Sequence, residues 1–290
     1  MKKRQVLRCD PDVLAIKMIV FPNAKINLGL CITDKRADGY HNINSVFYPL
    51  RNCCDVLEGI HLNLPDHTCK LIMMDEHWKE PEEANLVYKA YHLLAKDFKL
   101  GGTCFRLKKT IPTGAGLGGG SADAAFAVQL LSELYGLYLS REQKLSYAAM
   151  LGSDVPFFID NTPAAVSGRG EDIRPIELSL SGYFLCLIHP GIFVSTPEAY
   201  RLISPAVPKH LPADVVQLSP DKWKPLLVND FEMPLFKKHP LIGRLKDWMY
   251  EQGALFALMS GSGSAVYGIF EKKPGLPAFP GAIFQREFPL

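Results

Sequence analysis

Ile111-Pro-Thr-Gly-Ala-Gly-Leu-Gly-Gly-Gly-Ser-Ala-Asp-Ala-Ala125 is the stretch on which the rest of the sequence turns. Five of the seven residues from Gly114 to Gly120 are glycine, and beyond Ser121 the apolar residues Ala124, Val128, Leu131 and Leu134 recur at helical spacing. A loop almost bare of side chains therefore runs into a helix N-terminus. Several backbone N–H groups there have no partner within the helix, the helix dipole adds partial positive charge, and glycine lets the main chain wrap a bulky anion. The expected ligand is a polyphosphate. A flexible linker is disfavoured, because linkers do not end in a long amphipathic helix.

Two familiar phosphate patterns fit this stretch badly. Gly114, Gly116 and Gly119 spell G-x-G-x-x-G, but a dinucleotide fold also needs a buried strand before the loop and an acidic residue closing the next strand. The run Cys104-Phe-Arg-Leu-Lys-Lys109 instead alternates apolar with cationic residues, as a strand with one wet face does, and helix is expected on both sides of the acidic position. In a P-loop register, Gly120 stands where the phosphate-binding lysine belongs. Any lysine must come from elsewhere in the chain.

Composition narrows the field. At 290 residues the chain suits two lobes or one large domain with ample core. Thirty-two Lys and Arg against 30 Asp and Glu leave no global field for nucleic acid or a membrane surface, so a small-molecule substrate is the default. The seven cysteines (9, 31, 53, 54, 69, 104 and 186) are odd in number and scattered, with no C-x-x-C pair. They read as reduced thiols of a cytoplasmic protein. Asp10, Asp12 and Lys17 interrupt what would be the apolar core of a signal peptide, and no apolar run approaches ~20 residues, so no membrane insertion is expected.

Taken in order, residues 1–17 lack clear periodicity, and Met18 precedes the first strand-like run; we expect residues 1–17 to be a dispensable extension. In Asn23-Ala-Lys-Ile-Asn-Leu-Gly-Leu30 the apolar residues fall on even positions, so strand period two puts Lys25 and Asn27 together on the opposite face. That pair either addresses an anion or hydroxyl in a cleft or forms an ordinary solvent-facing surface. Asp38-Gly39 signals a hairpin turn, with Ile43 to Leu50 as the return strand. Tyr40 and His41, just after it, are either structural or suited to a flat ligand.

Asn85 is placed to cap a helix carrying Leu86, Ala90, Tyr91 and Leu94, and Ser140 with Gln143 forms a capping box for a helix ended by Gly152. Asp154 follows at once, beside Val155-Pro-Phe-Phe-Ile159. So much apolar surface should partly desolvate it and make it a better proton acceptor, a nearby lysine acting against this; the competing reading is a turn cap. Ala164 to Ser167 and Ile173 to Ile176 read as strands around Gly168 and Gly170, and Tyr183 to Ile188 as a buried strand. Thr196 with Pro197 should open a short helix bearing Tyr200, residues 204–225 are proline-rich and read as a surface loop, and Pro240 and Gly253 bracket a helix. A strand from Leu255 to Met259 then enters a second glycine loop, Ser260-Gly-Ser-Gly-Ser264.

Three separated pieces, Asn23 to Leu28, Pro112 to Ser121 and Met259 to Ser264, resemble in order and spacing the three motifs of the GHMP kinase superfamily. Arg36-Ala-Asp-Gly-Tyr-His41, Leu151-Gly-Ser-Asp-Val-Pro-Phe157 and Asn229-Asp-Phe-Glu232 make the match closest to the branch that phosphorylates 4-diphosphocytidyl-2-C-methyl-D-erythritol in the non-mevalonate isoprenoid pathway. The resemblance spans about residues 18–270. It implies an α+β fold of two lobes with mixed and antiparallel sheets, an ATP-binding domain over 18–163, a substrate domain over 164–290, and an active site between them. It further implies ATP and Mg²⁺ as cofactors, Asp154 as catalytic base and Lys25 as its electrostatic partner. ATP is then expected on Pro112, Gly114, Ala115, Gly116, Leu117, Gly118, Gly119, Gly120 and Ser121, with Asn85 and Leu86 near its nucleoside. The acceptor, a cytidine-diphosphate-linked methylerythritol, is expected on Asn27, Tyr40, His41 and Tyr200, with the cytosine between the rings of Tyr40 and Tyr200. The implied protein is a monomer or weak homodimer without nucleic-acid or membrane partners.

Some residues depart from the family pattern. Ala122 stands where many members carry a second serine, leaving Ser121 to serve phosphate or the metal. Asp123 suits the helix dipole but would repel phosphate, so it is expected to face away from the ligand. Pro274, Pro277, Pro280 and Pro289 disfavour the family's helical tail. Rival readings are a kinase of homoserine, mevalonate or a hexose, a dinucleotide-dependent oxidoreductase, and a catalytically silent binding module; the last has no need of both Lys25 and Asp154.

Overall fold

Alternating and continuous apolar runs fold as strands and 3.6-period runs as helices in the computed structural model, which describes residues 16–62, 65–75 and 81–290. The strands are β1 (Lys17–Val20), β2 (Asn23–Lys35), β3 (His41–Cys54), β4 (Val56–His61), β5 (Cys69–Met73), β6 (Thr103–Lys108), β7 (Ala164–Ser167), β8 (Asp172–Pro175), β9 (Phe184–His189), β10 (Phe256–Met259), β11 (Val266–Phe270) and β12 (Phe284–Pro289). The α-helices are α1 (Leu86–Leu94), α2 (Gly119–Leu134), α3 (Arg141–Leu151), α4 (Phe157–Asp160), α5 (Thr196–Arg201), α6 (Pro212–Val215), α7 (Glu232–Lys238) and α8 (Pro240–Glu251). The class is α+β, as the sequence led us to expect.

One sheet has the order β1-β4-β6-β5, antiparallel except where β5 runs parallel to β6. Its inner face, with Leu57, Phe105 and Leu107, is covered by α1 and α2 through Tyr91, Leu94, Leu130 and Leu131. The other face is wet, and Arg106 pairs there with Glu58 at 3.5 Å. Asn85 caps α1, its Oδ1 accepting from Val87 N at 2.9 Å, a contribution of about 1 kcal/mol.

The antiparallel sheet β2-β3-β7-β8 lies against a third, β10-β11-β9-β12. Between them Ala24, Ile26 and Leu28 meet Leu185, Leu187, Phe256, Leu258 and Tyr267. The far face of the third sheet, with Cys186, Ala257 and Met259, is covered by Leu235, Ile242, Leu245 and Met249 of α7 and α8. Strand β2 does not keep one face throughout. Gly29 adopts φ +77°, the pairing register with β3 slips between Asn27 and Leu30, and Leu30 and Ile32 turn into the α7–α8 core. Only Ala24 to Leu28 therefore obeys the even-position rule, and that suffices to hold Lys25 and Asn27 on the other face.

Several boundaries differ from expectation. Helix α2 begins at Gly119, so two glycines assigned to the loop belong to the helix. Ser195 caps α5, its Oγ accepting from Glu198 N, and Thr196 is already helical. Residues 204–225 contain α6 and a 3₁₀ turn, Pro220–Lys222, because Trp223 is fully buried, edge-on to Phe256, with its indole N–H donating to Leu218 O at 2.8 Å. The proline-rich tail forms strand β12, which covers the outer edge of β9. Of the expected N-terminal extension, residues 1–15 lie outside the described residues, while Lys17 is the first residue of β1.

Candidate active site

The first glycine loop is shaped by three left-handed residues in alternation, Gly114 (φ +65°), Gly116 (φ +78°) and Gly118 (φ +70°), the last being the N-cap of α2. A side chain is excluded at Gly116 on a second count, because a Cβ there would lie 2.0 Å from the carbonyl oxygen of Ser260. The two glycine loops meet main chain to main chain. Ser260 Oγ donates to Gly116 O at 2.9 Å, and Ala265 N donates to Ala115 O at 3.2 Å. Asn229 fastens the second loop from behind, its Nδ2 donating to Met259 O at 2.8 Å and to Gly261 O at 2.9 Å.

Pro112 to Ser121 line a hollow of about 270 Å³, joined by Leu86 and Lys109. Asn85 is not part of it, since its side chain is engaged in capping α1. Lys109 escaped the sequence reading, although it stands two residues before the loop. Its ammonium is held by Asp55 and by Asp123, the latter at 2.5 Å, and Asp55 Oδ1 also accepts from Ile111 N at 2.9 Å. Asp123 thus faces Lys109 inside the protein. Burial, reinforced by the charge of Asp55, pushes its carboxyl up to about 7 against the pull of Lys109, and among the described residues its Oδ1 has no hydrogen-bond partner.

On the other side of the loop lies a cavity of about 410 Å³ lined by Lys25, Asn27, Phe47, Asp154 and the same three glycines. Lys25 reaches it from β2, whose backbone N–H at that residue donates to Leu117 O at 2.9 Å, so strand and loop are fixed to each other. Its ammonium lies 3.5 Å from Asp154 Oδ2, donates to Asn27 Oδ1 at 2.6 Å and sits 4.2 Å from the centre of the Phe47 ring. Burial lowers the Lys25 pKa, and the Asp154 carboxylate acts against that shift. Asn27 is oriented in turn by donating to Ser45 Oγ at 2.9 Å. The surface-strand reading of Lys25 and Asn27 therefore fails, because both are buried. Asp154 is wetter than expected, with 34% of its side chain exposed, because Val155, Phe157 and Phe158 turn into the core and away from it.

An outer cavity of about 700 Å³ adjoins the inner one and is lined by Tyr40, His41, Asp154, Arg169 and Tyr200. The rings are not arranged as expected. His41, not Tyr40, stacks on Tyr200, with centroids 4.9 Å apart and planes at 22°, while Tyr40 lies under the Arg169 guanidinium at 4.6 Å. Phe231, of the Asn229–Glu232 motif, braces Tyr200 edge-on at 5.0 Å. A glycine-loop hollow, a cation with a carboxylate, and an aromatic wall thus lie in sequence along one surface. Among the described residues no group of three His, Cys, Asp or Glu could hold a metal, and Ser121 is the hydroxyl of the Pro112–Ser121 stretch on the hollow beside Thr113.

Family models match this arrangement in both halves of the chain. The GHMP kinases N-terminal domain matches residues 85–169 and the GHMP kinases C-terminal domain residues 214–279. A protein of Parabacteroides distasonis called 4-diphosphocytidyl-2-C-methyl-D-erythritol kinase is 46% identical over 258 residues, covering 88% of this chain and 92% of its own length. The chain belongs to the GHMP kinase family. As a GHMP kinase it phosphorylates a small molecule with ATP as donor. A second relative with the same name, from Bacteroides thetaiotaomicron, is 47% identical over 264 residues, 90% of this chain and 94% of its own. A crystal structure of 4-(cytidine 5'-diphospho)-2C-methyl-D-erythritol kinase superposes on this GHMP kinase with a TM-score of 0.74 at 32% identity, covering 87% of this chain and 90% of that one. Among the described residues no helix is long and apolar enough to cross a membrane.

Proposed function

We propose that this kinase transfers the γ-phosphoryl group of ATP to the 2-hydroxyl of 4-diphosphocytidyl-2-C-methyl-D-erythritol, with Asp154 as base and Lys25 as electrostatic partner. The observation that carries the reading is the approach of Lys25 to Asp154, 3.5 Å apart, on a cavity that shares Gly114, Gly116 and Gly118 with the glycine-loop hollow. In this reading the main-chain N–H groups at the start of α2 bind the phosphates, and residues 18–163 form the ATP-binding domain. Asp154 Oδ2 accepts the acceptor's hydroxyl proton as the hydroxyl oxygen bonds to the γ-phosphorus and the bond from that phosphorus to the departing ADP breaks. The Lys25 ammonium faces the charge that develops on the transferred group, and its fixed contacts with Asn27 and Phe47 mean that it need not reorganise during the step. Mg²⁺ would arrive on the nucleotide and neutralise its phosphates, with Ser121, on the glycine-loop hollow, as the residue that would hold it.

The residues from 164 onward complete the acceptor site through Tyr200. The stacked pair His41 and Tyr200, with Tyr40 beside it, offers aromatic surface to a base; stacking tolerates any base, so His41 and adjacent backbone groups must supply a preference for cytosine. The six described cysteines are free thiols, in keeping with a cytoplasmic enzyme. We expect a monomer or weak homodimer. Incubation with ATP, Mg²⁺ and a panel of acceptor alcohols tests the proposal. The cytidylylated methylerythritol should be phosphorylated in preference to homoserine and mevalonate, and equal turnover of either of these would move the assignment to another GHMP kinase.

A further inference from the structure

The mechanism above leaves one conspicuous cation unused. Arg169 sits at the tip of the turn between β7 and β8, exposed, and lines both the inner and the outer cavity. Among the described residues its guanidinium makes no hydrogen bond and no ion pair; its contact is the face of Tyr40. Asp38, the acid that senses its charge, is engaged by Arg36 at 3.1 Å. The turn itself is fixed. Gly168 and Gly170 take φ values of +67° and +116°, Arg169 N donates to the Glu171 carboxylate, and Ile43 N donates to Gly168 O at 2.7 Å. A Cβ on Gly170 would lie 3.9 Å from Asp154 Oδ1, so the turn is held against the catalytic carboxylate. A free guanidinium on a rigid support, between two cavities, has the properties of a ligand-binding group.

Chemical order within the acceptor assigns the ligand. A cytidine diphosphate ester presents a base, a ribose, a diphosphate and then the polyol that reacts. With the base at His41 and Tyr200 and the reacting hydroxyl at Asp154 and Lys25, the diphosphate falls where the two cavities join. Of the residues common to both cavities, Arg169 is the cation; Lys25 lines the inner one alone, and Lys35 and Arg201 the outer one alone. We propose that Arg169 binds the diphosphate bridge of the acceptor and so selects nucleoside diphosphate esters over uncharged alcohols. This rests on the acceptor reading above.

The test uses the full chain, with R169Q and R169K, and measures KM for the acceptor and for ATP together with competitive inhibition by cytidine and by cytidine diphosphate. A charged hydrogen-bond pair is worth enough to shift binding about 10- to 100-fold. R169Q should raise the acceptor KM and weaken cytidine diphosphate by that factor while leaving cytidine inhibition and the ATP KM unchanged, and R169K should recover part of the loss. A merely structural role would weaken cytidine as well, which would overturn the proposal; so would an unchanged preference for cytidine diphosphate over cytidine in R169Q. Should R169Q not fold, R169K carries the same comparison, because an ammonium keeps the charge but loses the planar fork. Wild-type protein that ignores the cytidylylated acceptor but phosphorylates homoserine or mevalonate would remove the acceptor reading and this proposal with it. Wild-type protein that accepts it, with variants indistinguishable from wild type, would remove the Arg169 assignment alone.

Discussion

At the scale of single residues, Lys25 and Asp154 place opposite demands on function and stability. Lys25 is buried and its pKa lowered by desolvation, so its charge is held at a cost that Asp154, Asn27 and the Phe47 ring offset. Lys25→Met should therefore reduce kcat by roughly 10²- to 10³-fold, with less effect on ATP affinity, and should leave the thermal midpoint unchanged or raised. A fall of several degrees would show that the ammonium is a net structural support. Because the folded-state pKa is depressed, the alkaline limb of the wild-type kcat profile should lie below the ordinary lysine value of 10.5. Asp154→Asn keeps shape and removes basicity; turnover should drop about 10²- to 10⁴-fold with ATP binding spared, and full activity in that variant would refute the assignment of the base. Both residues were legible in the sequence, because strand alternation and a lone acid beside an apolar run are local signals. Arg169, Lys109 and the stacking of His41 on Tyr200 were not. They depend on tertiary approach: Tyr200 and Arg169 meet His41 and Tyr40 from more than a hundred residues away, and Lys109 meets Asp55 from 54 residues away, and no local spacing records that.

Among the elements, the glycine loop with α2 and the strand carrying Lys25 could be read from periodicity and glycine content, whereas the tail could not. The prolines disfavoured a helix there but carried no sign that Phe284–Pro289 pairs with β9, since an edge strand containing proline has a weak alternation signal. Phe288 is buried, and Leu290 N donates to Tyr183 O at 2.9 Å. Removing residues 284–290 should uncover the backbone of β9 along its outer edge. We expect a lower thermal midpoint and concentration-dependent aggregation on heating, measured by light scattering, and a truncated chain as stable and dispersed as the full one would show that the strand is dispensable. The buried Trp223 teaches the same lesson: proline density suggested a surface loop, and tertiary packing against Phe256 overrode it.

For the whole molecule, the near balance of charge hides a local imbalance beneath the glycine loop. Asp55 and Asp123 share the single ammonium of Lys109, and Asp123 is pushed from the ordinary carboxyl value of 3.8 to about 7 by burial and by its acidic neighbour. The folded state then binds a proton that the unfolded chain has released, so stability should fall as pH rises through the window from about 4 to about 7. Asp123→Asn should flatten that part of the stability profile in denaturant titrations at successive pH values; an unchanged slope would mean that the carboxylate stays ionised throughout.

The abutment of Gly116 on Ser260 joins segments 144 residues apart. The first glycine loop is therefore braced by a segment from the second half of the chain, and during synthesis that brace cannot form until the β10–β11 hairpin has emerged from the ribosome. We expect a chain arrested before that point, even with its entire first glycine loop made, to hold ATP more weakly than the finished protein.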